Sequence, residues 1–413
     1  MNVKLLTSLI SLFLIVPLLY LVYSVVGLNF ENFTYLWNNL LLGYSFNTLY
    51  LIFLTVFFSL ILGIVPAWFI STRNFRGKSF FDVVLFLPLA IPSYIIAFTY
   101  SDILSYTGPI QSIFRNNYPE LYKYVNLDYL QIELLGFLMA LVLYPYLYTA
   151  CRISFSLLGS NYINIAKNLG MSQFQTFFKI IIPISRVSIF SGLFLIIMEV
   201  LNEYGAVKYF GVNTFTSGIF RSWYSMQDIN TASILAVCLL TIVSLFFILE
   251  RYTSSKYRYN YKSNDSVSGN YTTNKFSALY IYIICLFPFL LGFFIPVIYI
   301  INNVFKTINI IDFRELLTLS FNSFFLAAIS SIVIVFLAIL FQFIKKISKS
   351  KIVFFFSEIV SLTYALPGAV IALSLILLLA FISKITGISI VFGSLIILIY
   401  AYVMRYMAVG ISP

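Results

Sequence analysis

Glu199, Asn202 and Glu203 close an otherwise apolar stretch, and the two carboxylates stand one helical turn apart on one face. An ionisable group inside a hydrophobic span is costly, so it is read first as facing a cavity that a polar or cationic species crosses. Lys208 stands near enough in sequence to neutralise one of them, so structural ion pairing is the second reading. Residue types exclude much other chemistry. The chain has no histidine, so neither a Ser/His/Asp nor a Cys/His arrangement can be built. Cys151, Cys238 and Cys285 lie far apart in or beside apolar runs and imply no disulfide framework. A haem, zinc or redox metal site lacks its usual ligands, and no cofactor or metal is expected on this chain. Gly77-Lys78-Ser79 looks like the end of a phosphate-binding loop, but Thr72 stands where that motif needs glycine. The chain is therefore expected to be no enzyme and to bind no ATP itself.

The elements that hold these residues follow from composition. Hydrophobic residues make up 61% of the chain and charged ones 9%, against a soluble average of about 25% charged. Apolar runs of about 20 residues recur, as a hydrocarbon layer of about 30 Å demands of helices. Without strict alternation these runs cannot be barrel strands. The reading is an all-α, polytopic helical membrane protein with ten spans, near 5–26, 49–70, 83–101, 134–151, 187–206, 231–249, 276–301, 324–344, 352–380 and 388–408. Placing the N-terminus in the cytoplasm puts most basic residues on that side, among them Arg73, Arg76, Lys78, Lys345, Lys346 and Lys351. The net charge of +11 thus reports topology, and no nucleic-acid partner is expected. The first span lacks a small-x-small cleavage site and reads as a retained anchor.

The chain repeats itself. Leu41-Leu42-Gly43-Tyr44-Ser45-Phe46-Asn47-Thr48 recurs 275 residues later as Leu316-Leu317-Thr318-Leu319-Ser320-Phe321-Asn322-Ser323. Pro92-Ser93-Tyr94-Ile95-Ile96-Ala97 matches Pro367-Gly368-Ala369-Val370-Ile371-Ala372 at the same offset, and Leu143-Tyr144-Pro145-Tyr146 matches Ile399-Tyr400-Ala401-Tyr402. A parallel duplication places a pathway between two halves. The expected organisation is a first half over 1–249 with six spans, a polar cytoplasmic linker over 250–275, and a second half over 276–413 with four. Pro413 aligns with Leu157 of the first copy, so the second half is expected to be incomplete.

Between two apolar spans lies a polar, basic island, residues 152–186. Gly170 can turn the chain out of a preceding helix without a Cβ clash. Ser172 and Gln175 have the spacing of a capping box that starts a new short helix. Phe174, Phe177 and Phe178 fall on one side of it, and Pro183 marks the return into the membrane. The product is a compact lever, with an amphipathic surface loop as the plainer alternative.

Asn164-Ile165-Ala166, Gly170 and Ile180-Ile181-Ile182-Pro183 keep the spacing of E-A-A-x3-G-x9-I-x-L-P. In this the island resembles the cytoplasmic coupling loop of permease subunits in binding-protein-dependent ABC importers. Asn164 replaces Glu, Ile165 replaces Ala and Ile182 replaces Leu. The run from Tyr209 to Trp223 is similar to the Y-F-G-V-x-T-F-T-T-G-I-Y-R-A-W segment of the iron(III) permeases, and Tyr364-Ala365-Leu366-Pro367-Gly368 to their Y-A-L-P-G. The resemblance implies a type I ABC importer permease fold and an ATPase-coupling loop using Asn164, Ala166, Gly170, Ser172, Phe177, Ile180 and Pro183. It also implies a cytoplasmic ATPase dimer that uses the ATP, a periplasmic substrate-binding protein, and a multi-pass location in a bacterial inner membrane. Iron(III) is the implied cargo. A polyamine, thiamine or sulfate permease, an ion-coupled secondary transporter and an inactive truncated fragment are the alternatives.

Overall fold

Long runs of Leu, Ile, Phe and Val leave the backbone no hydrogen-bonding partner but itself, and helices result. The computed structural model describes residues 3–27, 34, 37–256, 271–272, 275–348, 350–363, 366–388 and 393–411, and most of them are helical. Seven helices among them are long and apolar enough to cross a membrane: Thr7–Val26, Trp37–Thr72, Ile132–Leu158, Ile229–Thr253, Ala278–Ile310, Phe313–Ser348 and Gly368–Thr386. Two further segments qualify as bent pairs, Lys78–Ala90 with Ser93–Asn117 at 89° and Gln173–Ile184 with Arg186–Asn202 at 72°. Leu395–Ile411 is a shorter apolar helix. The all-α membrane fold is the observed one. Among the described residues the one β-pairing is two residues long, Arg73–Asn74 beside Tyr271–Thr272.

Two expected spans are broken. The stretch 83–101 turns at Ile91–Pro92, and 352–380 splits into Lys351–Leu362 and Gly368–Thr386. Proline drives the residue before it out of the helical region, and Ile91 is accordingly extended (φ −97°, ψ 118°). Pro92 and Pro367 then act as N-caps with nearly the same backbone, φ −57°, ψ 142° and φ −58°, ψ 139°. Pro92 O accepts from the N–H groups of Ile95 and Ile96 at 2.9 and 3.3 Å, and Pro367 O from those of Val370 and Ile371 at 3.0 and 3.3 Å. The sequence repeat is therefore also a repeat of local backbone geometry.

Part of the expected linker is helical: residues up to Lys256 continue the helix Ile229–Lys256, and Lys275 opens Lys275–Phe289. Residues 257–270 and 273–274 lie outside the described residues, as do Tyr364, Ala365 and Pro413.

The chain divides into two compact units. One comprises Met1–Tyr44, Phe215–Phe247 and Thr307–Pro413. In it Val3–Val26 packs on Lys351–Leu362 and Gly368–Thr386, and Phe313–Ser348 on Leu395–Ile411. The other comprises Ser45–Thr214 and Ile248–Lys306. Its central element is the helix Ile132–Asn168, hereafter the stem, with Leu135, Leu138, Tyr144 and Tyr148 fully buried. Arg186–Asn202 packs closely along the stem. A Cβ at Gly192 would lie 2.9 Å from the Cα of Leu147, so glycine is what allows the approach.

Candidate coupling site

The stem has 37 residues and is about 55 Å long, well beyond the apolar layer of about 30 Å. Its end is a Schellman turn. Gly170 has φ +72°, a left-handed backbone that favours glycine, and the Met171 N–H reaches back to the Ala166 carbonyl at 2.9 Å. Leu169 N–H closes the last regular turn onto Ile165 O at 3.0 Å. Asn164 and Gly170 are exposed, while Ala166 is fully buried.

The expected capping box is present in both directions. Gln175 N–H donates to Ser172 Oγ at 3.2 Å, and Ser172 N–H donates to Gln175 Oε1 at 3.0 Å. This starts the short helix Gln173–Thr176. A π-helical turn over Phe177–Ile181 follows, in which Ile182 N–H reaches Phe177 O. Pro183 has no N–H for the Lys179 carbonyl and its ring crowds that oxygen, so the turn widens by one residue. The change of direction, 72°, falls at Ser185, two residues past Pro183. There Ser154 Oγ donates to Ser185 Oγ at 3.0 Å and fastens the bend to the stem.

The three aromatic residues of the lever divide. Phe177 turns inward, 5.1 Å from the ring of Trp68 and 6.4 Å from that of Phe155. Phe174 and Phe178 meet in a tilted pair, 4.5 Å between ring centroids, with 72% and 51% of their surfaces exposed. Ile181 is buried, Ile180 half-buried and Pro183 exposed. The Arg73 guanidinium donates to Gln173 Oε1, joining the lever to the turn between Leu42–Thr72 and Lys78–Val84. The result is an elbow seated on aromatic packing with an apolar pair facing outward.

Farther up the stem lies a cluster the sequence reasoning missed. Arg152 Nε donates to Asp82 Oδ1 at 2.6 Å, Arg152 Nη2 pairs with Asp82 Oδ2, and Tyr148 Oη donates to Asp82 Oδ1 at 2.9 Å. Ser71 Oγ donates to the Arg152 carbonyl at 3.3 Å. The signal in the sequence is Asp82 itself, an acid beside a hydrophobic run, as Glu199 and Glu203 are.

Glu203 stands just before the N-cap residue Tyr204 of a short helix and accepts from its first turn. It follows Asn202, leaves the helical region (ψ 125°), and its Oε1 accepts the Ala206 N–H at 2.8 Å, opening Gly205–Tyr209. The Ser93 side chain also hydrogen-bonds this carboxylate, linking the end of Arg186–Asn202 to the start of Ser93–Leu104. Glu199 and Asn202 are half-buried. Lys208 is exposed, with its Nζ 5.4 Å from the ring centroid of Tyr204.

All these residues fall within 59–259, the part matched by the family described as binding-protein-dependent transport system inner membrane component. The molybdenum transport system permease protein ModB of Haemophilus influenzae is 30% identical over 161 residues, covering 38% of this chain and 67% of that protein. The chain belongs to this family of membrane components. The Fe(3+)-transport system permease protein FbpB 2 of Haemophilus influenzae is 26% identical over 345 residues, 80% of this chain. The chain spans 62% of that relative's length. The sulfate transport system permease protein CysT of Salmonella typhimurium is 24% identical over 166 residues, covering 40% of this chain and 57% of that protein.

Proposed function

We propose that the chain is the membrane-embedded permease component of an ATP-driven importer, with residues 152–186 as the loop on which a cytoplasmic ATPase dimer acts. The observation that carries this is the elbow: a left-handed turn at Gly170, a closed capping box at Ser172, and an exposed Phe174–Phe178 pair beyond the stem. An exposed apolar pair on a short braced helix suits a groove in a soluble partner. Asn164, Ala166, Ile180 and Pro183 set the register of that helix, and Phe177 holds it down. Nucleotide-driven closure of the ATPase pair would displace the elbow, and only its unequal contacts with two states of the permease could drive a switch between them. The ATP is used by the partner, and cargo reaches the outer face on a periplasmic binding protein. The N-terminus lies in the cytoplasm and the chain sits multi-pass in a bacterial inner membrane.

Iron(III) is the proposed cargo. Supporting it are the Tyr209–Trp223 segment and the iron-permease relative, which aligns with 80% of this chain. Glu199, Asn202 and Glu203 would line the path. The second reading is an oxyanion cargo, favoured by the higher identity, 30%, to a molybdenum permease. Uptake of radioactive ferric ion, molybdate and sulfate by cells with and without the gene separates the two. Loss of ferric uptake alone is the expected result, and loss of molybdate or sulfate uptake alone overturns iron. For the coupling role, the wild-type chain should retain an ATPase on purification and Gly170→Pro should lose it.

A further inference from the structure

The Asp82–Arg152 pair has more geometry than simple packing requires. Two apolar helices could meet here with no charge at all, and a part-exposed ion pair, with 37% of the Arg152 side chain and 23% of the Asp82 side chain accessible, adds little stability. What a bidentate guanidinium–carboxylate contact adds is direction: two parallel N–H···O bonds resist sliding and rotation, where apolar surfaces permit both. Tyr148, one turn before Arg152 on the stem, grips the same carboxylate. Asp82 lies on Lys78–Val84, which runs through Leu87–Ala90 into the 89° bend at Pro92.

The internal repeat sharpens the point. The positions of the second copy corresponding to Asp82, Tyr148 and Arg152 are Ser357, Met404 and Ala408, none of which can carry an ion pair. At these aligned positions the clamp belongs to the first copy and not to the second. We infer that the Asp82–Arg152 bridge, braced by Tyr148, is a positioning device that makes the stem and the bent segment Lys78–Ala90 move as one body. Displacement of the elbow is thereby delivered to the kink at Pro92 rather than lost in sliding between helices. This inference rests on the coupling role proposed above.

The test uses the full chain purified with its ATPase, with spin labels at Phe80→Cys on the short helix and Leu169→Cys on the elbow, both exposed positions. Cys151 and Cys285 are fully buried, and Cys238→Ser removes the remaining thiol. Label separation is measured without nucleotide and with ATP plus vanadate. In the otherwise wild-type background one separation is expected in both states. Asp82→Asn should split it into two, and Arg152→Lys, which keeps the charge but loses the fork, should broaden it. A separation that already changes with nucleotide in the wild-type background overturns the inference, as does an unaltered one in both variants. Should Asp82→Asn fail to assemble, Arg152→Lys decides alone. Absence of ATPase from the wild-type preparation removes the coupling reading itself, and the clamp's proposed role with it.

Discussion

Phe177 meets Trp68 at 5.1 Å between ring centroids, so the lever is seated on the helix Leu42–Thr72 as well as hinged at Gly170. Phe177→Ala removes a half-buried ring and should cost about 2 kcal/mol. A lower midpoint of thermal unfolding in detergent, with faster proteolysis between Gln173 and Ile181, is the expected result. Phe174→Ala touches an exposed ring and should leave stability alone while weakening ATPase retention. Equal effects on stability would mean that the two rings do not divide the work as their exposure indicates.

Gly170 has open space around it, so the penalty for a side chain there is one of backbone alone. Gly170→Ala should destabilise the turn by about 1 kcal/mol, Gly170→Asn by less, and Gly170→Pro should abolish the turn, since its φ is fixed near −65°. Hydrogen exchange at Met171, whose N–H returns to Ala166, gives the order directly. Any other ranking would show that the left-handed conformation is not what constrains this position.

Ser172 and Gln175 cap the lever reciprocally. Ser172→Ala should cost about 1 kcal/mol, and the double substitution with Gln175→Ala less than the sum of the two singles. Strict additivity in a double-mutant cycle would disprove the reciprocal box.

Glu203 tests the pathway. Gln in its place keeps the oxygen that accepts the Ala206 N–H, so the fold should survive Glu203→Gln. With Glu199→Gln added, ferric uptake should slow while the complex still assembles. Unchanged uptake would assign both carboxylates to structure.

What could be read from the sequence was local. The capping box needs only residues three apart, the left-handed turn one glycine, and the membrane helices a run of one residue class. Proline was harder to read. Pro17, Pro66, Pro145 and Pro288 lie inside helices, whereas Pro92 and Pro367 begin them. Residue type alone does not separate the two, because neighbouring helices can absorb a kink in one place and not in another. The inward turn of Phe177 and the clamp on Asp82 depend on Trp68 and Arg152, tens of residues away, and no periodicity of one helix announces such a meeting.

The stem's excess length has a consequence of phase. Everything past Arg152 is aimed by the unbroken winding of the shaft beneath it, so one residue added between Arg152 and Asn168 would swivel the elbow by about 100° and raise it by about 1.5 Å. Two added residues would point it almost backward, whereas four would nearly restore its bearing one storey higher. Exchange of exposed side chains along this stretch should be borne far more easily than any change in their number.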